Sequence, residues 1–187
     1  MDLTTALTLL VSVALALTGY ALTYRNNVRI DQRKARLDRV NRQLTELYGP
    51  LLALSSASAM AWHQFRSVYR PGLGTFWGKT SKPTEEEAAG YRLWMTEVFM
   101  PLNLRMQSAV VEKADLLIES EVPFVLLALC AHVAAYQATL RRWEEGDLSD
   151  DRAAINFPSG LNEYASEHFI RLKREQQELL GVLQRKS

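Results

Sequence analysis

The first apolar stretch of the chain, residues 3–24, contains no charged residue. At a helical rise of about 1.5 Å per residue it spans roughly 33 Å, which exceeds the roughly 30 Å hydrocarbon core of a bilayer. The pattern predicts a transmembrane anchor over residues 1–24. A cleavable signal peptide is the alternative, because residues 14–16 have the small-x-small form of a cleavage site. Asp2 and the lack of a leading basic residue disfavour that alternative.

Residues 25–42 form a basic segment directly after the predicted anchor, with seven basic and two acidic residues. By the positive-inside rule, this charge places the short N-terminus outside and the rest of the chain in the cytoplasm. The same charge can attract anionic lipid, with about 1 kcal/mol for each basic residue near the surface. The candidates for this contact are Arg25, Arg29, Arg33, Lys34 and Arg36.

Apolar residues recur at steps of three and four from residue 30 to residue 68, with Arg33 and Ser58 as polar interruptions, which places them on one face of a long helix. They are Ile30, Leu37, Val40, Leu44, Leu47, Leu51, Leu54, Ala61, Phe65 and Val68. Pro50 removes a backbone donor, so Gly49 and Pro50 predict a kink near Tyr48. The apolar face predicts either pairing with a second copy of the chain or one wall of an intramolecular bundle, which is the usual case.

Residues 70–83 are rich in glycine and proline, which predicts a loop. Phe76 and Trp77 lie within this loop. Two interpretations of the aromatic pair are open. The pair can contact a protein partner or the membrane surface, or it can pack back over the end of the bundle, which is the commoner arrangement for large aromatic residues.

Thr84 and Glu87 have the spacing of a capping box, which predicts that a helix begins here. The apolar residues that follow give this helix one apolar face, and Pro101 in its middle predicts a second kink. Residues 122–140 contain no charged residue. They predict a helix that is apolar on all sides and buried at the centre of a bundle, while His132 among other residues disfavours a second membrane span.

His132 is the titratable residue of that helix, and Tyr136 follows it one turn later. The ordinary interpretation is a hydrogen-bonded core histidine. The alternative is a pocket for a small molecule near His132, Tyr136 and an acid of a neighbouring helix such as Glu97. No histidine has a carboxylate three residues before it, so the spacing indicates no metal site, and no motif indicates a cofactor.

Composition narrows the classes of function and fold that remain. The net charge of the residues after position 42 is −3, from 15 basic and 18 acidic residues, so no basic footprint for nucleic acid lies away from the membrane. The single cysteine, Cys130, excludes an internal disulfide and lies in an apolar run, which predicts a small buried residue. The prediction is an all-α protein: an anchor at 1–24, a basic juxtamembrane helix at 25–42, and a cytoplasmic four-helix bundle with long, proline-kinked helices at 43–187.

Four segments of this bundle resemble a group of membrane-anchored bacterial proteins of unassigned function. They are residues 43–51, which include Leu-Tyr-Gly-Pro-Leu, and residues 94–103, 131–136 and 156–158. The resemblance implies a stable domain type at the bacterial inner membrane and no particular chemistry. It marks five positions as candidates for function: Tyr48, Gly49, Pro50, His132 and Tyr136.

The functional hypothesis is a membrane-tethered helical scaffold or sensor that acts by binding a protein partner or a second copy of itself. It rests on an anchor, a long helix and the lack of any catalytic constellation in the sequence. A small-molecule binder or enzyme with a pocket near His132 is the first alternative. A pore-forming membrane effector is the second, because the Thr and Ser residues of the predicted anchor permit a polar face.

Overall fold

The computed structural model describes residues 2–71, 76, 77, 82–152 and 154–184. Residues 72–75 and 78–81 of the predicted loop lie outside the described residues. Regular secondary structure in the described part is entirely helical, which confirms the all-α class. The helices are α1 (Leu3–Arg42), α2 (Gly49–Tyr69), α3 (Glu85–Trp94), α4 (Met100–Glu112), α5 (Phe124–Glu144) and α6 (Leu161–Gln184). Two π-helical segments, Gln43–Tyr48 and Met95–Phe99, precede α2 and α4, and a 3-10 turn spans Ala114–Leu116.

The chain forms two compact units, Met1–Asn41 with Glu175–Ser187, and Arg42–Arg174. In the first unit, large apolar side chains of the initial part of α1 are exposed, among them Leu3, Leu7, Leu10, Leu15 and Leu17. Hydroxyl groups along this part donate to the carbonyl oxygen four residues earlier, for example from Thr18 to Ala14 at 2.8 Å. Such bonds satisfy a polar side chain within its own helix. The C-terminal part of α6 in this unit pairs Glu175 with Arg36 at 2.6 Å.

One helix in the described part of the chain is long and apolar enough to cross a membrane by length and composition, and it is α5. About a third of the most apolar stretch of this helix, 33%, is buried. The core helix of a soluble domain satisfies the same criterion. The N-terminal anchor over residues 1–24 therefore stays a prediction.

The helix α5 is buried on one side only, which differs from the prediction of a helix buried all round. Its buried residues recur at helical spacing: Leu126, Leu129, His132, Val133, Tyr136 and Thr139. On the other side Leu127 is exposed, and Phe124 is 83% exposed. Cys130 is half-buried between these sides, and burial raises the pKa of its thiol. The lack of charge predicted full burial, but alanine and single large residues also fill the exposed side.

Each π-helical segment ends just before a proline. The N–H of Gly49 donates to the carbonyl of Leu44, and the N–H of Met100 donates to that of Met95, so both bonds span five residues. Proline has no N–H and its ring displaces the carbonyl one turn earlier, and a wider turn relieves that clash. The predicted interruptions at the two prolines therefore take the form of π-helical turns.

The start of α3 is set locally, as the sequence predicts. The Thr84 N–H donates to Glu87 Oε2 at 2.7 Å, and the Glu87 N–H donates to Thr84 Oγ1 at 3.2 Å. These two reciprocal bonds confirm the capping box. Because α3, the second π-helical segment and α4 follow one another directly, this cap also fixes where their side chains enter the bundle.

Candidate functional site

A cavity of about 460 Å³ lies within the Arg42–Arg174 unit. Its wall comes from α2, α3, the second π-helical segment, α4, α5, the start of α6 and parts of the connections between helices. The lining residues are Ser55, Ser58, Ala59, Trp62, Trp77, Tyr91, Met95, Phe99, Asn103, His132, Tyr136, Asn156, Phe157, Ser159 and Asn162. This volume is in the range of clefts that hold small molecules.

One part of the wall is aromatic. Trp62 meets Phe99 edge to face at 5.7 Å between ring centroids, and Trp77 meets Tyr91 in the same way at 5.1 Å. Phe76 is 2% exposed and packs behind this wall against Phe65 at 5.1 Å. Edge-to-face pairs at these distances fix ring orientation, so this part of the wall is preformed.

Arg70 holds the aromatic pair of the predicted loop in place. It is buried at the end of α2, donates to the carbonyl oxygen of Phe76, and lies 5.6 Å from the centre of the Phe76 ring. Its guanidinium also approaches Glu87 Oε1 at 3.5 Å. Phe76 therefore packs back into the bundle, and Trp77 becomes part of the cavity wall. The role of this pair in partner binding stays a prediction.

His132 and Asn103 face each other across the cavity wall. His132 Nδ1 lies 2.8 Å from the carbonyl oxygen of Ile155, and only an Nδ1–H can satisfy that acceptor. In the neutral ring, His132 Nε2 is then an acceptor, which matches the Asn103 Nδ2 donor at 3.3 Å. Burial lowers the pKa of His132, against a smaller opposing effect of the bond to Ile155, so the neutral ring is favoured.

This arrangement leaves the Asn103 carbonyl oxygen without a partner. Asn103 is 2% exposed, and its Oδ1 makes no hydrogen bond to any residue the structure describes. A buried acceptor without a partner costs about 1–3 kcal/mol. The side chain is therefore not optimised for stability alone.

The hydroxyl groups of Tyr91 and Tyr136 form a hydrogen bond inside the bundle. Burial raises the pKa of the Tyr91 hydroxyl, and the adjacent Tyr136 raises it further. Tyr136 also packs against His132, with ring centroids 4.9 Å apart. The Tyr91 hydroxyl therefore stays protonated, and both hydroxyl groups serve as hydrogen-bonding groups in the wall.

The opposite part of the wall carries serine and asparagine. Asn162 Nδ2, at the start of α6, donates to Ser55 Oγ at 3.0 Å and to Ser56 Oγ at 2.8 Å. The Ser55 hydroxyl donates in turn to the Leu52 carbonyl at 3.2 Å, so it accepts from Asn162. Ser58 lies one turn after Ser55 on the same face of α2. This part is polar and carries no charge.

The connection between α5 and α6 is held over the cavity by an ion pair. Arg92 Nη1 contacts Asp151 Oδ2 at 2.9 Å, and Asp151 is buried. Beyond this pair, Ile155 contributes its carbonyl to His132, and Phe157 meets the His132 ring edge to face at 5.4 Å. Asn156 and Phe157, from one of the segments that carry the resemblance, therefore line the cavity.

A separate polar cluster lies at the first π-helical segment. The buried Tyr48 hydroxyl accepts from the Ile118 N–H at 3.2 Å, and Tyr164 donates to Glu119 Oε2 at 3.2 Å. His168 Nε2 contacts Glu119 Oε1 at 2.8 Å, and its ring stacks on Tyr48 with centroids 5.2 Å apart. Burial raises the pKa values of Tyr48 and Tyr164. We call Tyr48, Glu119, Tyr164 and His168 the tyrosine–glutamate cluster.

The structure separates the predicted site residues into two places. His132 and Tyr136 line the cavity, whereas Tyr48 belongs to the tyrosine–glutamate cluster. Gly49 and Pro50 begin α2 beside that cluster. The acid predicted for the pocket, Glu97, is exposed and is absent from the lining of the cavity. It lies on the second π-helical segment, whose wider turn directs Met95 and Phe99 to the cavity instead.

The basic residues predicted to contact lipid lie on α1. Arg25, Arg29 and Lys34 are exposed, and Arg36 is exposed while it pairs with Glu175, whereas Arg33 is half-buried. Exposure is what lipid contact requires, and the contact stays a prediction.

The sequence patterns did not identify most of the residues in these two places. Among the polar ones are Ser55, Ser58, Asn103 and Asn162 at the cavity, and Glu119, Tyr164 and His168 in the cluster. Serine and asparagine on a helix resemble a solvated face, and the cluster joins residues that are far apart in sequence. Only Ser58 stood out in the sequence, because it is a polar residue at a position of the apolar face of α2.

The described part of the chain is an all-α bundle with an internal cavity, and the described residues that line this cavity carry no formal charge. Among the described residues, no group of three or more His, Cys, Asp or Glu side chains could hold a metal ion. No family model, curated protein or solved structure matches this chain. The resemblance to a group of bacterial membrane proteins stays a prediction, and function has to be argued from the cavity itself.

Proposed function

We propose that this protein is a membrane-tethered receptor that binds a small molecule in the cavity beside His132. The observation that carries the proposal is the cavity of about 460 Å³, whose wall combines preformed aromatic contacts with several hydrogen-bonding groups. Apolar walls with a few placed polar groups are typical of ligand sites. The cavity fits this role better than catalysis, because the lining residues that the structure describes include no carboxylate and no nucleophile hydrogen-bonded to a base.

The polar groups of the wall support this proposal. A core that served stability alone would be filled with apolar side chains, yet Asn103 is kept with an unpartnered carbonyl and His132 is kept neutral by burial. Residues that lower stability in this way are common at functional sites. Here they surround an open volume large enough for a ligand.

The tether is the second element of the proposal. Residues 3–24 have the length and composition of a single membrane span, and the basic segment that follows favours a cytoplasmic bundle at a bacterial inner membrane. The exposed apolar side chains of α1 are consistent with lipid contact. A receptor attached in this way reports on a cytoplasmic or membrane-derived small molecule.

The test is a cavity-filling variant of the full-length protein. Ala59 lines the cavity on α2 and is exposed, so Ala59→Trp fills the volume from its rim without removing core contacts. Ala57, two residues earlier, is exposed and does not line the cavity, so Ala57→Trp is the matched control. Native mass spectrometry of each protein, released from nanodiscs, measures the bound small molecule.

We expect the wild type and Ala57→Trp to retain a bound molecule of the same mass and Ala59→Trp to lose it. Equal retention by Ala59→Trp would place the molecule elsewhere. Absence of a bound molecule from both the wild type and Ala57→Trp would contradict the proposed function.

Self-association is the second candidate function, because one observation favours it. The exposed side of α5 presents Phe124 and Leu127 one turn apart, followed by alanines that permit close approach of an identical helix. Leu127→Cys in a Cys130→Ser background tests it by disulfide formation between copies in membranes. We expect a crosslinked dimer if the chain is a scaffold, and a monomer at every oxidant concentration would exclude this face.

A further inference from the structure

The charge of the cavity wall restricts the ligand, and this inference rests on the proposed function. None of the described lining residues carries a formal charge, since His132 is the one group among them that titrates near neutral pH, and burial favours its neutral form. A charged molecule that entered would lose its hydration without gaining an opposite charge, which costs several kcal/mol. The wall therefore fits an uncharged ligand.

Besides the buried Asn103 Oδ1, two wall groups offer hydrogen bonds that the described part of the protein does not use. Ser58 is 8% exposed and its hydroxyl makes no hydrogen bond to the residues described. The Asn162 amide nitrogen is engaged with Ser55 and Ser56, while its Oδ1 has no partner within the same part of the chain. Because the Ser55 hydrogen is donated to Leu52, the orientation of the Asn162 amide is fixed with Oδ1 free.

These two groups both line the cavity beside Ser55, and their hydrogen-bonding properties complement each other. Ser58 is one helical turn from Ser55, and Asn162 is bonded to Ser55, so both free groups occupy the same polar part of the wall. The Ser58 hydroxyl can donate or accept, and the Asn162 carbonyl accepts. A ligand group that both accepts and donates can satisfy the two together, and hydroxyl and carboxamide groups have that property.

The aromatic part of the wall indicates the shape and polarity of the rest of the ligand. Trp62, Tyr91 and Phe99 pack edge to face around the volume, and Trp77 covers Tyr91. Flat or ring-shaped apolar bodies bury the most area against such rings. We propose that the cavity binds an uncharged molecule with an apolar ring body and one hydroxyl or carboxamide group, which meets Ser58 and Asn162.

The test uses four probes of similar shape with full-length protein in detergent micelles. They are 2-phenylethanol, propylbenzene, 2-phenylethylammonium and phenylacetate. Binding is followed by the indole N–H NMR signals of Trp62 and Trp77, which line the cavity, with Trp94 outside it as the internal control. Probe that only dissolves in micelles does not shift these signals selectively.

Ser58→Ala provides the decisive comparison. The substitution changes the hydrophobicity of the wall equally for both probes, so a difference between its effects on the two affinities reports the hydrogen bond. We expect Ser58→Ala to weaken 2-phenylethanol about 3- to 10-fold and to leave propylbenzene within about twofold. Ser67→Ala is the matched control on the same helix, since its hydroxyl already donates to the Gln64 carbonyl at 2.8 Å outside the cavity. We expect it to change neither probe, and both charged probes to bind about 10-fold or more weakly than the alcohol.

Each other result overturns a distinct claim. Equal effects of Ser58→Ala on the alcohol and on propylbenzene, or tightest binding of a charged probe, would reject the ligand class while the cavity remained a binding site. Failure of all four probes to shift the signals of Trp62 and Trp77 would reject the proposed function as well.

Discussion

The two π-helical segments relieve the same clash between a proline ring and a backbone carbonyl, but they place different kinds of side chain in the bundle. The segment Gln43–Tyr48 places Tyr48 in the tyrosine–glutamate cluster, while Met95–Phe99 places Met95 and Phe99 at the cavity. In both, the proline that follows displaces a carbonyl and the wider turn restores its hydrogen bond. A sequence that carries two such turns can therefore place a polar side chain in one part of a bundle and apolar side chains at a cavity in another.

The residue before each proline shows how closely the turns are packed. A Cβ at Gly49 would lie 2.3 Å from the Leu44 carbonyl oxygen, which no real side chain tolerates. The corresponding residue of the second segment is Met100, whose side chain is 1% exposed and fills the core. Glycine is thus required by a local close approach at the first turn and not by π-helical geometry in general.

Met100→Ala has the largest expected effect on this comparison. Removing a buried methionine side chain leaves a void, so we expect the free energy of unfolding to fall by about 3 kcal/mol. Urea unfolding of the full chain in detergent micelles measures it. Met60→Ala is the control, because Met60 is exposed and its loss should be neutral. An equal loss for both variants would show that Met100 does not fill the core.

Gly49→Ala has the next largest expected effect on stability. Its cause is overpacking, whereas Met100→Ala leaves a void. The added methyl group displaces the Leu44 carbonyl and disturbs the first π-helical turn, which costs about 2 kcal/mol. Gly181→Ala in α6 is the control, since nothing lies within 4 Å of a Cβ there. Alanine in a helix interior is favoured over glycine, so that variant should be slightly stabilising. The same unfolding measurement applies, and two variants of the same sign would refute the close-approach argument.

Tyr48→Phe tests the polar side of the comparison. The variant leaves the Ile118 N–H without its acceptor, which costs about 1 kcal/mol. Tyr69→Phe serves as the control, because the Tyr69 hydroxyl makes no hydrogen bond in the part of the chain described. If Tyr48→Phe were as neutral as Tyr69→Phe, the cluster would contribute nothing to stability.

The pH dependence of stability gives the smallest effect and concerns the cavity side. Burial lowers the pKa of His132 below its ordinary value of 6.5, so the unfolded chain binds the proton more readily. Stability should therefore fall as the pH drops below about 6.5 and level off below the folded pKa. His132→Gln should reduce this dependence, whereas His63→Gln, at an exposed position, should keep it. Identical pH profiles for all three proteins would disprove burial of a neutral His132.

Features that depend on neighbours in the sequence were predictable. The capping box of Thr84 and Glu87 forms within four residues, and Pro50 and Pro101 interrupt their helices wherever the bundle places them. The all-α class follows in the same way from helical periodicity. His132 and Tyr136 were also identified as residues of a candidate pocket, because a histidine in an uncharged helix is unusual.

Features that depend on distant partners were not predictable. Whether a proline causes a bend or a π-helical turn depends on packing against other helices, so the periodicity could not distinguish them. Glu97 was chosen for the pocket because it is an acid on the neighbouring helix, but the wider turn leaves it exposed. Asn162 reaches Ser55 across 107 positions, and no local pattern indicates that bond.

The tyrosine–glutamate cluster also has a consequence for the lifetime of the folded state. Tyr48 and Tyr164 are separated by 116 positions, so their contact forms only after the intervening helices have come together. Contacts made after the folding transition state slow unfolding and leave the folding rate nearly unchanged. We therefore expect Tyr48→Phe to accelerate unfolding in stopped-flow measurements, with little change in refolding, so that this small cluster determines how long the bundle persists once assembled.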